Sequence, residues 1–270
     1  MTKTHFRERI QRGDSLLSTM LSKINHAGWY EVLADLPFDF LTVDMEHSPY
    51  SDSEVAELLA VIKAAQAPSV VRIPRPQWHY VTRVFDSGAS GVLAPYCETV
   101  EQVREVVCAA RWRPMKGEFA ERAMLSGEFP SDATREHLED FNRDHVVMIG
   151  IESIPAVQNL DAILDVGGID VVFVGPADLS TSMGIPRAWD HPDFEAMCGE
   201  IIRRCTARGV QVAANFASLE QSAKWAARGM NLIIHACDFR VLHAGYKTAL
   251  ETISRAAGRA IDIEESSVDI

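Results

Sequence analysis

The sequence predicts an α/β chain folded as a single closed (β/α)8 barrel of the TIM type, with an insertion before strand five and a C-terminal helix after strand eight. Three observations predict it. Eight strand-like runs alternate with eight helical segments over about 250 residues, the count such a barrel needs. Most runs are continuously apolar instead of alternating, as strands covered on both faces are. Acids and a histidine recur just past the ends of these runs, where a barrel of this kind builds its site. An open doubly wound sheet is the competing architecture, because closure is not written locally. The barrel is expected over 1–258, with an acidic, flexible tail over 259–270 and no linker between domains.

Taken in order, strand one is expected at Leu16–Leu21 and a helix at Ala27–Leu36. Strand two, Phe38–Asp44, leads to a helix over Asp52–Gln66, whose start is marked by the cap and early acids of Ser51-Asp52-Ser53-Glu54. Strand three, Ser69–Ile73, precedes a helix over His79–Ser87 that Gly88 ends. Strand four, Gly91–Pro95, precedes a helix over Thr99–Arg111. The longest irregular stretch follows, Arg113–Asp144, with a short helix near Thr134–Asn142. An insertion of that length is a lid, an interface or a disordered loop. Strand five, Val146–Ile151, and strand six, Val171–Val174, enclose Pro155–Asp165, where Val157, Leu160, Ile163 and Leu164 recur at helical spacing. That β-α-β unit makes the two strands parallel neighbours, roughly 5 Å apart. A helix over Pro192–Arg208 stops at Gly209, and strand seven follows at Gln211–Ala214. Ser218 opens a helix over Leu219–Arg228, which Gly229 closes before strand eight at Leu232–His235. The last helix, Phe239–Ala257, carries Val241, Leu242, Tyr246, Leu250 and Ile253, a face to be buried on the barrel or on a neighbour.

Composition bounds the function. With 26 basic and 38 acidic residues the net charge is −12, which argues against nucleic acid or an anionic membrane as partner. No apolar stretch approaches the roughly 18 residues of a membrane helix, and the polar start is no signal peptide, so a cytoplasmic protein is expected. The five cysteines form an odd set without CxxC spacing, as buried thiols in a reducing compartment do.

Glu152 and Asp178 are the most informative residues. Each lies just past a strongly apolar strand of the same β-α-β unit, so both carboxylates can reach one hard divalent cation, with positions left open for chemistry. Asp44, Glu46 and His47 follow strand two and Arg72 ends strand three. Ser180 follows strand six, and His235 and Asp238 end strand eight. Such a set suits an anionic small molecule held on a metal, with proton transfer by histidine. Singly, each has a plainer role: Asp44, Glu46, Glu152 and Asp178 as caps, His47 as a loop histidine, Arg72 as an ion-pair partner of Asp44. A Schiff-base route needs a lysine at the site. Lys63, Lys224 and Lys247 fall on predicted helices and Lys116 in the insertion, which leaves only Lys23 in reach.

Asp44-x-Glu46-His47-x-Pro49, Arg72-x-Pro74, Ile151-Glu152 and Gly175-Pro176-Ala177-Asp178-Leu179-Ser180 with Met183-Gly184 occur in this order. The chain thereby resembles, over about residues 5–257, the HpcH/HpaI aldolases. These are class II metal-dependent pyruvate aldolases, such as those acting on 4-hydroxy-2-oxoheptanedioate or 2-dehydro-3-deoxyglucarate. The resemblance implies that Glu152 and Asp178 ligate Mg²⁺, Mn²⁺ or Co²⁺. It implies that Arg72 holds the pyruvyl oxygens and that His47, oriented by Asp44, is the acid/base. The amides near Ala177 and Asp178 would receive the pyruvate carboxylate, with Ser180 in the same substrate-binding stretch. The implied reaction cleaves or forms a 4-hydroxy-2-oxo acid through a pyruvate enolate neutralised by the metal, with a 2-oxo acid and an aldehyde as partners. A homo-oligomer is implied too, trimers pairing into hexamers with a helix exchanged. The chain departs from the family at Arg113–Arg122, at Gly150, at Ser18–Lys23 and at His235–Asp238, where the aldehyde half should bind. No glycine-rich loop follows strands seven or eight, which favours a substrate without phosphate. A metal-dependent decarboxylase, for example of oxaloacetate, and a non-catalytic barrel are the alternatives.

Overall fold

A computed structural model describes residues 6–261, so 1–5 and most of the expected tail, 262–270, lie outside the described residues. A short helix, α1 (Phe6–Gln11), comes first, followed by β1 (Leu16–Leu21), α2 (Trp29–Asp35), β2 (Leu41–Asp44), α3 (Asp52–Ala64), β3 (Ser69–Arg72), α4 (Trp78–Asp86), β4 (Gly91–Ala94) and α5 (Val100–Arg111). The insertion holds α6 (Gly117–Ser126) and α7 (Asp132–Phe141). The second half runs β5 (Val146–Ile151), α8 (Ile154–Gln158), α9 (Leu160–Leu164), β6 (Val171–Val174), α10 (Pro176–Ser182), α11 (Pro192–Thr206), β7 (Gln211–Phe216), α12 (Leu219–Ala227), β8 (Leu232–Cys237) and α13 (Asp238–Ala256).

All eight strands are parallel and close in sequence order, β8 pairing with β1 from Leu16↔Leu232 onward. The unbroken apolar runs follow from burial on both faces. Val70, Leu93, Met148, Val171, Phe173 and Ile234 fill the barrel interior. Their neighbours Val71, Val92, Ile149, Val172 and Ile233 pack outward beneath the helices. At the N-terminal end α1 plugs the barrel, with Phe6 and Ile10 joining the interior cluster and the Phe6 ring 5.2 Å from that of Phe40. No helix of the described residues is long and apolar enough to cross a membrane. Four of the five cysteines are buried, Cys108 is partly so, and none is bonded to another.

Several elements depart from expectation for visible reasons. β2 starts only at Leu41, because Asp39 pins the preceding turn. Its carboxylate accepts from the Leu17 amide at 2.8 Å and from Arg9 at 2.7 Å. The helix expected over Pro155–Asp165 is broken at Asn159, whose side-chain amide donates to the Glu98 carbonyl at 2.8 Å. β7 and β8 run two residues past their expected ends, to Phe216 and Cys237. Neither α1, α6 nor α10 was anticipated, the last a single short helix with Pro176 at its first position.

The insertion is not a lid. It joins the end of α5 to the start of β5, so it departs from and returns to the N-terminal end of the barrel. α6 packs on α5, with Ala120 and Ala123 buried and Cys108 Sγ donating to the Ala120 carbonyl at 3.2 Å.

Candidate active site

A cavity of about 140 Å³ opens at the C-terminal ends of the strands, lined among others by His47, Arg72, Glu152, Ala177 and Asp178. The register of β2 and β3 sets Asp44 beside Arg72. Asp44 is 1% exposed, and its carboxylate accepts from Arg72 Nε at 2.8 Å and from Nη2 at 2.7 Å. The amides of Glu46, at 2.9 Å, and His47, at 3.4 Å, also donate to it. Burial alone would raise Asp44; the bidentate guanidinium outweighs it and holds the carboxyl below its ordinary range. Asp44 therefore fixes Arg72 and the turn that follows β2.

His47 is oriented differently from expectation. Its ring does not meet the Asp44 carboxylate; Nε2 lies 3.6 Å from Glu46 Oε2 instead. The same Glu46 oxygen is 3.3 Å from Arg72 Nη1, so Glu46 bridges the arginine and the histidine. Burial raises Glu46 above the usual carboxylate range despite Arg72 and His47 nearby. Glu46 stood in the sequence motif but without a site role of its own.

Glu152 follows β5 directly and is 3% exposed. Its Oε2 accepts from the Tyr96 amide at 2.6 Å. Burial, reinforced by the nearby charge of Glu46 and Asp178, pushes its carboxyl up to about 8, against the pull of Arg72 and the Tyr96 amide. Two glycines make room for it. A Cβ on Gly175 would run into Glu152 Oε1, and one on Gly150 would lie 2.9 Å from both Glu152 Oε2 and the Tyr96 amide nitrogen. The departure at Gly150 thus has a steric cause within this chain. Asp178 lies in the first turn of α10, exposed and facing the same cavity.

Three residues expected at the site are elsewhere. Ser180 is fully buried; its hydroxyl donates to the Ala177 carbonyl at 3.0 Å and accepts from the Arg187 amide at 3.0 Å, so it holds a loop and no substrate. His235 sits inside the lengthened β8 between the inward Ile234 and the bulged Ala236, and its Nδ1 pairs with Ser222 Oγ of α12 at 3.0 Å. Asp238 accepts from the amides of Ser22, Lys23 and Ile24 at 3.2, 3.1 and 2.8 Å, tying β8 to the loop after β1. Lys23 is exposed, and no lysine is among the residues lining the cavity. Arg187, Trp189, Asn215 and Arg240 do line it and carried no signal, because the loops that deliver them have no motif.

The arrangement holds an anion against a fixed guanidinium beside two further carboxylates, with a histidine at the rim. Comparison with known proteins gives it context. The sequence profile described as HpcH/HpaI aldolase/citrate lyase matches residues 18–240. The 2-keto-3-deoxy-L-rhamnonate aldolase of Klebsiella pneumoniae subsp. pneumoniae is 33% identical over 235 residues, 86% of each chain. Its namesake from Escherichia coli K12 is 33% identical over 204 residues, 76% of each. Among solved structures, an HpcH/HpaI aldolase from Desulfitobacterium hafniense superimposes with a TM-score of 0.79 at 26% identity, covering 98% of both chains. A family protein from Burkholderia cenocepacia gives 0.79 at 27%, covering 93% of this chain and 99% of the other.

Proposed function

The chain belongs to the HpcH/HpaI aldolase/citrate lyase family, and from that membership and the cavity we propose a divalent-metal-dependent aldolase that cleaves or forms 4-hydroxy-2-oxo acids. The observation that carries the proposal is the convergence of Glu152, Asp178, Arg72 and His47 on one cavity at the strand ends.

The donor set fits a hard cation. Glu152 is a buried carboxyl raised to about 8 partly by its acidic neighbours, an arrangement a divalent charge would relieve. Both proposed ligands offer oxygen only, which suits Mg²⁺, Mn²⁺ or Co²⁺ better than a thiolate-loving ion. Among the described residues no cluster of three or more His, Cys, Asp and Glu forms a closed cage, as expected where substrate completes the coordination. When bound, the ion supplies Lewis-acid polarisation of the 2-oxo acid.

The rest falls to this chain's residues. Arg72, locked by Asp44, presents Nη1 with a fixed positive charge toward the C2 oxygen; losing one such donor costs about 2.7–4 kcal/mol of barrier elsewhere. The amides of Ala177 and Asp178, in the first turn of α10 where no preceding helical carbonyl serves them, receive the carboxylate. His47 takes the proton of the C4 hydroxyl as the C3–C4 bond breaks. The C4–O bond becomes the aldehyde carbonyl, and the released electron pair passes to C3 and the C2 oxygen as the pyruvate enolate. A proton returned to C3 gives pyruvate. Glu46, not Asp44, sits beside the His47 ring to stabilise its charged form. No lysine lines the cavity, so an imine route has no nucleophile there.

The relatives' name, a 2-keto-3-deoxy acid, describes the same C2–C3 frame, and a non-phosphorylated acid of this type is the substrate class proposed. The test is pyruvate release from racemic 4-hydroxy-2-oxo acids, with EDTA and then with Mn²⁺ or Mg²⁺ restored. Release that EDTA abolishes and metal restores is expected. Metal-dependent decarboxylation of oxaloacetate without any aldol cleavage would replace the reaction, and inactivity in both would overturn it.

A further inference from the structure

The cavity is chemically polarised. Its acids and the Asp44–Arg72–Glu46–His47 group come from β2, β3, β5 and the start of α10. Beyond them, from the loop after β6 round to β8, the lining changes character and includes Arg187, Asn215 and Arg240. β7 lies between β6 and β8 in the barrel. Arg187 reaches the cavity from the loop between α10 and α11, and Arg240 from the first turn of α13. The two guanidinium groups thus approach from either side of Asn215 at the end of β7. Asn215 is itself held, its amide donating to the Ala236 carbonyl at 3.1 Å.

Arg187 is placed at a cost. Its φ of 60° is the left-handed region, which an arginine adopts only where its surroundings dictate it. They do so here. The buried Ser180 hydroxyl accepts the Arg187 amide at 3.0 Å. Three residues on, Asp190 accepts from Lys224 Nζ at 2.5 Å and from Gln221 Nε2 at 2.8 Å, anchoring the loop to α12. Between these anchors Trp189 packs edge-on against Phe216, ring centroids 6.4 Å apart. A strained, doubly anchored residue whose side chain lines a cavity points to a ligand.

We propose that this side of the cavity is the acceptor subsite and that Arg187 and Arg240 select an aldehyde carrying a carboxylate. The proposal rests on the pyruvate-aldolase reading above. With the 2-oxo acid end held at Glu152, Asp178 and Arg72, the group on C4 extends toward β7 and meets the two arginines. Guanidinium forks recognise a carboxylate through paired, charge-assisted hydrogen bonds, which a neutral or apolar aldehyde cannot return. Ser180 is the positioning residue for Arg187, which explains why its hydroxyl is buried and not turned to substrate.

The experiment measures kcat/KM of the metal-loaded enzyme for aldol addition of pyruvate to 4-oxobutanoate and to 4-methylpentanal, a neutral aldehyde of the same shape. A preference of about tenfold or more for the anion is expected, as befits charge-assisted bonds. Arg187→Ala and Arg240→Ala should each collapse that ratio toward one, with Arg187→Lys intermediate. A purely structural role would lower both aldehydes alike and leave the ratio intact, which overturns the proposal, as does a ratio near one in the unaltered enzyme. Exchange of the pyruvate C3 protons in D₂O, which needs no acceptor, separates the two levels. Exchange with a flat ratio removes only the subsite; absence of exchange with metal present removes the aldolase reading and the subsite together.

Discussion

Arg72 donates from Nε and Nη2 to one carboxylate, Asp44, and turns Nη1 to Glu46. Only a planar fork can do this, so Arg72→Lys would keep the charge and lose the geometry. Asp178 is exposed in the first turn of α10, so Asp178→Ala should leave the fold intact while metal affinity and turnover fall together, by about 100-fold or more given what even outer-shell changes cost. Equilibrium dialysis with Mn²⁺ beside initial rates checks it, and near-normal activity at low metal would remove Asp178 as a ligand. Glu152 adds a pH signature. Its ordinary value is 4.5 and its value in the folded chain about 8. Between these the folded protein keeps a proton that the unfolded chain gives up, so the metal-free protein loses stability as pH rises through that window. A cation bound to the ionised carboxylate removes the loss. The rise in Tm on adding Mn²⁺ should therefore be larger near about pH 8.5 than near about pH 5; an equal rise at both would contradict it. Glu152, Asp178 and Arg72 were legible because a residue just past a parallel strand has one place to go. His235 and Asp238 were not, because β8 extends to Cys237 and a shift of strand end changes which way each side chain points.

At the scale of elements, the strands were legible from burial on both faces, and α3 from its cap, where Ser51 and Glu54 form the reciprocal bonds of a capping box. Short helices were not. α1, α8, α9 and α10 each span two turns or fewer, too little for a period to show, and Asn159 breaks a helix through a bond to a residue 61 positions away. α13 was legible as an amphipathic helix, but its apolar face does not pack on its own barrel. Tyr246, Leu250 and Ile253 are 64%, 54% and 65% exposed, on a helix whose described residues bury only Asp238 and Ser254. A surface helix that leaves such a stripe in water lacks a partner for it. We propose a homo-oligomer in which α13 lies against a neighbouring copy. Light scattering after size exclusion should give a multiple of the 29.9 kDa chain mass, and Leu250→Asp with Ile253→Asp should move the distribution toward the single chain. A single-chain mass for the unaltered protein at micromolar concentration would count against it.

The whole molecule separates stability from chemistry along the barrel axis. Closure was not legible, since the pairing of Leu16 with Leu232 joins residues whose neighbourhood no local pattern records. Once closed, the interior is filled from one end to the other, from Phe6 and Phe40 at the base to Met20 and Phe173, which also line the floor of the cavity. Barrels of this architecture carry their active sites on the C-terminal face and treat the opposite face as structure. The α1 plug tests that division here. Phe6 is 2% exposed and stacks against Phe40, so Phe6→Ala removes a buried ring whose space α1 cannot refill by moving, since Arg9 ties it to Asp39. A loss of about 3–5 kcal/mol in unfolding free energy is expected, measured by urea titration. At temperatures well below the transition kcat/KM should stay within about twofold, because no group of the candidate site contacts the plug and distant, unshared sites act independently. A stability loss below about 1 kcal/mol would mean that the plug is peripheral to the core. A large fall in kcat/KM with the fold retained would mean instead that the barrel interior transmits the state of its base to the cavity floor through Phe173.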